Sequence, residues 1–318
     1  MLHLTDQQIS EWLDYRSVAD VLEEAFRDLA HGAATVHARP HSDCGSHRLN
    51  TTGARWHTHA VAGVQVCLAA AGRFSVALVL FDLATHTPLA VLDSPELTRL
   101  RTAAMTTMVA AHAAAPAARK LALFGAGVQG RAHAAALCER FDFEEICIVD
   151  PQADLAWCRR FQAGVGAHVR VAAAEQAVRG AGIVVTATRS SRPVFDGAWL
   201  SPGTFVSAVG ASTPQARELD DATMSRAARI IVEWKPQCLA EAGEIALWPG
   251  HVNAYNIVDL PELFRDAQSW RTDEHGITVF KSVGVGLSDV AAAHLALQCA
   301  RDGRLRTKEC AAAALQAT

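Results

Sequence analysis

Three glycines, spaced Gly125-x-Gly127-x-x-Gly130, stand between the apolar run Leu121-Ala122-Leu123-Phe124 and an alanine-rich stretch of helical character. Glycine at the first position permits a tight turn, at the second lets a ligand approach the backbone, and at the third lets a helix pack close to a strand. A helix beginning at Val128 and Gln129 would offer free N–H groups and the positive end of its dipole, which suits a phosphate. A second apolar run, Ile146-Cys147-Ile148-Val149, ends at Asp150, 20 residues after Gly130. A carboxylate there can accept hydrogen bonds from ribose hydroxyls. Strand, glycine turn, helix, strand and acid together specify a dinucleotide site far more narrowly than the glycines alone. The Asp150 charge would repel a 2′-phosphate, and Asp150-Pro151-Gln152 carries no arginine to offset it, so NAD is expected in preference to NADP.

The rest of the chain must position such a site. At 318 residues it exceeds one ordinary core and suits two domains. With 50% hydrophobic and 19% charged residues it has a globular balance. A net charge of −4 without a basic cluster argues against nucleic acid. No apolar run is long enough to span a membrane, and the start, MLHLTDQQISEWL, lacks a basic-then-apolar leader, so a cytoplasmic protein is expected. Eight cysteines lie scattered without a CxxC pair, which reads as reduced core thiols. His57-Thr58-His59 has no cysteine or acidic cluster at ligand spacing, and no metal is expected. Either histidine could donate a proton or simply be solvated.

Residues 1–117 are expected to form a first domain. Its helices would be Leu2–Trp12 and Val18–Ala30, and its strands Val61–Leu68, Phe74–Phe81 and Pro88–Leu92. Ser94-Pro95-Glu96 reads as a helix start, with a hydroxyl cap, proline in the first turn and an acid at the positive end. That helix would run to about Pro116. From 118 to 284 strands and helices alternate, with further strands at Ile183–Ala187, Thr204–Val209, Ile230–Val232 and Thr278–Val283. This predicts an α/β fold: a Rossmann-type doubly wound parallel sheet with a second, α+β domain. Residues 285–318, including the helix Leu287–Ala300 and an alanine-rich tract at 311–317, are expected to return to the first domain.

Several separate segments carry a family resemblance. PLAVLDSPELTRLRTAAMT, LALFGAGVQGRAHAAAL, GAGIVVTATRSSRPVFDGAWLSPGTFVSAVGASTPQARELDD and ITVFKSVGVGLSDVAAA occur in order over about residues 75–295. Together they resemble the ornithine cyclodeaminase/mu-crystallin family. The resemblance implies a nicotinamide-dependent enzyme, usually a homodimer joined through its first domain, acting on a small amino or imino acid bound between domains. Ornithine cyclodeamination, reduction of cyclic ketimines and amino-acid dehydrogenation all occur in such a family. Arg101 then matches a position facing substrate carboxylate and cofactor, where a guanidinium can grip with two parallel hydrogen bonds. Arg39 occupies the approximate place of a second such arginine. Either could instead serve an ion pair. Thr186 and Thr188, Val209 and Gly210, and Ser282 and Gly284 match loops that border the nicotinamide and its ribose, though ordinary strand-end turns would look the same.

Two positions depart from the cyclodeaminase pattern. A lysine is typical where Gln65 stands, and glutamine can hydrogen-bond but carries no charge. The loop after it, Ala69–Phe74, looks shortened. An aspartate is typical where Ser212 stands, and serine without a partner has no useful basicity. The loss of that acid argues against ornithine and towards ketimine reduction, in which the imine can bring its own proton. A nicotinamide-dependent reductase of cyclic imino acids, or a dehydrogenase of the matching amino acids, is therefore expected. Ornithine cyclodeaminase and a non-catalytic nucleotide-binding protein are the alternatives.

Overall fold

The computed structural model describes residues 1–70, 73–250, 255–266 and 270–303. The described residues divide into two units, Met1–Met105 with residues 284–303, and Thr106–Val283. The division falls inside one helix, Pro95–Ala113.

The first unit is built on seven strands: β1 (Leu2–Leu4), β2 (Ala34–His37), β3 (His41–Cys44), β4 (His47–Trp56), β5 (Val61–Ala70), β6 (Arg73–Asp82) and β7 (Pro88–Asp93). They lie in the order β1-β7-β6-β5-β4-β2, with β3 also paired to β4. All pairings are antiparallel except β1 with β7. The expected helix Leu2–Trp12 is corrected: Leu2–Leu4 joins the sheet edge, and the helix is only Asp6–Trp12. Thr5 marks the change, because its side chain accepts the Gln8 N–H while Gln8 reaches back to the Thr5 N–H. The strands β2, β3 and β4, which the sequence reading did not mark, lie in a stretch where glycine, histidine and arginine interrupt the apolar alternation.

The helix Gly286–Arg301 packs on β4, β5 and the helix Tyr15–Ala30. Glycines permit that approach: a Cβ at Gly286 would stand 2.5 Å from the Gly53 backbone, and one at Gly63 2.8 Å from Val290. The opposite sheet face is also apolar. Val66 on β5 and its neighbours Leu49 and Leu68 remain exposed, as does Phe81 on β6.

The second unit carries eight strands: β8 (Lys120–Phe124), β9 (Glu145–Val149), β10 (His168–Val171), β11 (Ile183–Thr186), β12 (Phe205–Ala208), β13 (Ala227–Val232), β14 (Ile257–Asp259) and β15 (Ile277–Lys281). All its pairings are parallel, in the order β10-β9-β8-β11-β12-β15-β13-β14. Burial on both faces explains why these strands read as continuous apolar runs. The strand order reverses between β8 and β11, the crevice where open α/β sheets bind ligands. The glycine turn follows β8 directly. The α/β, doubly wound expectation is met.

Candidate functional site

In the second unit the glycine turn has the shape its spacing implies. Gly125 has φ +86°, and a Cβ there would stand 2.6 Å from the Ala187 carbonyl oxygen. A Cβ at Gly130 would overlap the Gly125 carbonyl, whereas one at Gly127 would meet nothing within 4 Å. Gly127 is therefore not a packing glycine, and its exposed backbone faces open space. It caps the helix Val128–Cys138 without any side-chain hydrogen bond, so the amino-terminal N–H groups are left without a side-chain cap. Val128 is exposed and Gln129 half-buried beside it. These residues fit a dinucleotide pyrophosphate.

Asp150 stands at the turn as the spacing predicts, but its carboxylate is already engaged. One oxygen accepts the Ala126 N–H at 2.7 Å and the other the Gln152 N–H at 2.8 Å. The acid thus fixes the turn. Beside it Arg131 donates to the Ala126 carbonyl at 2.8 Å, approaches Asp154 at 3.3 Å and stacks over Trp157. Neither Arg131 nor Asp154 was singled out from sequence, since their partnership depends on how the helix starts after β8 and β9 face each other.

The strand-end residues are held from one buried carboxylate. Glu218, fully buried, accepts from Thr186 Oγ1 at 2.9 Å, from Thr188 N and Oγ1 at 2.7 Å each, and from Gly210 N at 2.7 Å. Val209 N donates to the Thr186 carbonyl, and Ser282 N to the Ala208 carbonyl. Ser212 lies exposed two residues beyond Gly210. His133, fully buried in the same unit, is pushed down to about 4 by burial, although its contact with the Gln129 carbonyl works the other way. Its other nitrogen lies 3.1 Å from Thr106 Oγ1.

In the first unit, Arg101 and Arg39 converge on Gly284. Arg101 is buried in the helix Pro95–Ala113, and its Nε donates to Asp289 Oδ1 at 2.9 Å. A Cβ at Gly284 would stand 3.0 and 3.1 Å from its two terminal nitrogens. Arg39 donates to the Gly284 carbonyl. Asp289 therefore restrains one edge of the guanidinium while the terminal fork faces a residue without a side chain. Sequence reading missed Asp289, 188 residues from Arg101. Its only sequence signal is an acid in the first turn of a helix.

Gln65 lies on the buried side of β5, with Nε2 2.8 Å from Ser94 Oγ and 3.4 Å from Thr98 Oγ1. Thr98 precedes Arg101 by three residues on one helix face, so Gln65 connects to the arginine through that helix. His57 and His59 sit elsewhere, in the turn between β4 and β5. His57 is exposed, and His59 approaches Glu24 at 2.8 Å and packs on Trp56 and His294. Among the described residues no group of three or more histidines, cysteines or acids could hold a metal ion. No helix among them is long and apolar enough to cross a membrane.

A parallel sheet with a fitted glycine turn at its switch point defines a dinucleotide-binding α/β protein, whose other unit pairs two arginines at one glycine. The chain belongs to the ornithine cyclodeaminase/mu-crystallin family, whose model matches residues 2–304. It is 33% identical to the ketimine reductase mu-crystallin of Rattus norvegicus over 219 residues, 69% of this chain and 67% of that protein. Among solved structures, a probable ornithine cyclodeaminase from Bordetella pertussis Tohama I superposes with a TM-score of 0.92 at 39% identity, covering 95% of this chain and 98% of that one. The Thermococcus litoralis Delta(1)-pyrroline-2-carboxylate reductase, solved with NADH and L-proline, superposes at 0.87 with 25% identity, over 95% and 98% of the two chains.

Proposed function

We propose that this protein is a nicotinamide-dependent reductase of small cyclic imino acids, or a dehydrogenase of the corresponding amino acids. The observation that carries this reading is the Arg101 fork, restrained at Nε by Asp289 with its two terminal nitrogens against Gly284, which has no side chain to cover them. Bidentate capture of a carboxylate needs that arrangement. Arg39, tied to the Gly284 carbonyl, adds a second cation at the same place. Gln65 offers a neutral amide to the ring nitrogen of an imine or amine. Ser212 supplies no base, which suits a substrate arriving already protonated. The nicotinamide supplies a hydride for the alpha carbon when bound. Gly125, Gly127, Val128, Gln129 and Gly130 would hold its pyrophosphate, and Asp150 the adenosine ribose.

NAD rather than NADP is the cofactor on this reading. The Asp150 carboxylate is fixed by two backbone N–H groups and cannot readily turn from a 2′-phosphate, while the nearby Arg131 is partnered by Asp154. The outer face of the first sheet, with Leu49, Val66, Leu68 and Phe81 exposed, supports a homodimer joined through that unit. Cysteines 67, 138, 147, 158, 238 and 299 are free, which agrees with a reducing cytoplasm.

Ornithine cyclodeamination is the second reading, favoured by the likeness to the Bordetella protein. The deciding experiment follows NADH absorbance with purified protein and pyrroline-2-carboxylate. Rapid carboxylate-dependent oxidation is expected. Ammonia release from ornithine with catalytic NAD, and no oxidation with the cyclic imine, would replace this reading with the second.

A further inference from the structure

The ends of β11, β12 and β15 rest on a plate of buried charge. Glu218, Glu233, Glu244 and Lys281 are all fully buried. Glu218 takes its four hydrogen bonds from Thr186, Thr188 and Gly210, two on each oxygen. The Thr188 hydroxyl accepts from Ser190 N and so has its proton free for Glu218. Every bond on this carboxylate is therefore one that it accepts. Glu244 takes the Glu218 N–H at 2.8 Å with one oxygen and lies 3.0 Å from Lys281 Nζ with the other. Lys281 Nζ also donates to the Ala211 carbonyl, and Glu233 accepts the Val283 N–H at 2.9 Å. Glu244 thus links Glu218 to the buried Lys281 ammonium, in a place where burial makes a charge strong.

Resting on the nicotinamide reading above, we propose that Glu218 is a positioning residue that both shapes the seat of the nicotinamide half and biases that seat towards the oxidised ring. The glycine turn lies at the β8/β11 switch point, and Asp150 takes the adenosine side at β9. The other half of a dinucleotide then extends over the ends of β11 and β12. Those ends are what Glu218 joins. Gly210 permits the junction, since a Cβ there would stand 2.5 Å from Glu218 Oε1. Hydride transfer would carry one proton with two electrons from a neutral reduced ring to a protonated imine. The imine becomes a neutral amine and the ring acquires one positive charge. A fixed negative charge held by Thr186, Thr188 and Gly210 at those strand ends would favour that product and cost no reorganisation as the charge develops.

The test compares affinities of the intact protein for NADH, by fluorescence, and for NAD, by competition. E218Q is expected to weaken NAD relative to NADH by roughly fivefold. It should also weaken both, because an amide NH2 must then face two donors. E244Q, whose amide oxygen can still accept the Glu218 N–H, should move the ratio the same way by a smaller factor, and it carries the test if E218Q does not fold. E218D keeps the charge while shortening the reach, so it should weaken both nucleotides with the ratio nearly unchanged. An unchanged ratio in both E218Q and E244Q overturns the proposal, whatever the loss in melting temperature. A shift in E218D equal to that in E218Q also overturns it, by assigning the effect to geometry. Wild-type protein that binds neither nucleotide removes the nicotinamide reading and this proposal together.

Discussion

Gly125 and Gly284 are alike in backbone and opposite in what they serve. Both adopt left-handed conformations, φ +86° and +74°, in which a side chain is strained. What fills the space at Gly125 is a backbone carbonyl, Ala187 O, whereas at Gly284 it is the Arg101 guanidinium. The second unit shapes its site with main chain that a neighbouring strand holds rigid. The first shapes its site with long side chains that need a partner to stay in place, which Asp289 provides for Arg101. A rigid backbone site should fail all at once on substitution, and a side-chain site by degrees.

The largest effect should come from Gly130→Ala. The new methyl overlaps the Gly125 carbonyl, which cannot move without breaking the turn. Nucleotide binding should be lost, with a stability cost of about 3 kcal/mol seen in the melting curve. Retained NADH affinity would show that the turn can open. In the other unit Arg101→Ala should lower kcat/KM on the order of 100-fold while NADH affinity survives. It also strands the buried Asp289 carboxylate, so Arg101→Lys is the cleaner variant: it keeps a charge but cannot grip with two parallel bonds. Asp289→Asn should cost less, about tenfold, because the amide oxygen can still accept from Arg101 Nε. Restoration by Asp289→Glu would argue that charge matters more than reach. Equal losses in Arg101→Ala and Asp289→Asn would make the pair a structural ion bridge rather than an anchor and its support.

That contrast also explains what could be read from the chain alone. The parallel sheet and glycine turn were legible because their demands are local: Gly125, Gly127 and Gly130 lie within six residues, and buried parallel strands announce themselves as unbroken apolar runs. Arg101 stood out only through a motif, and nothing local marks its partner across 188 residues. Glu218 was equally hidden. An acid between an arginine and a leucine reads as surface, yet it is buried because three strand-end residues turn their donors towards it. The strand β1 cannot be told from the following helix in sequence, because Leu2–Leu4 is too short to show a period and gains its structure from β7. The segment 311–317 lies outside the described residues, as does the middle of the shortened loop at 71–72.

The smallest effect separates the units by pH. Each buries one histidine whose imidazole is driven down to about 4, chiefly by burial: His133 in the second unit and His294 in the first. His59 and Arg301 add to the depression of His294. A histidine held below its ordinary value takes up a proton more readily unfolded than folded. Its neutral burial therefore supports the fold above about 6.5, and that support drains away as the pH falls from there towards 4. The loss should be on the order of 3 kcal/mol for each group. The two differ in what the neutral ring does. His133 is bonded at both nitrogens, to Gln129 and Thr106, while neither nitrogen of His294 has a hydrogen-bond partner among the described residues. Between Trp56 and His59, His294 acts as an aromatic filler. His294→Phe should accordingly leave the melting temperature near pH 8 almost unchanged and flatten its fall between pH 6.5 and 4. His133→Phe should flatten the same fall but lower the melting temperature at every pH, because it abandons Thr106 and the Gln129 carbonyl. Identical curves for the two variants would mean that the hydrogen bonds of His133 contribute nothing beyond burial, and the distinction between the two histidines would fall.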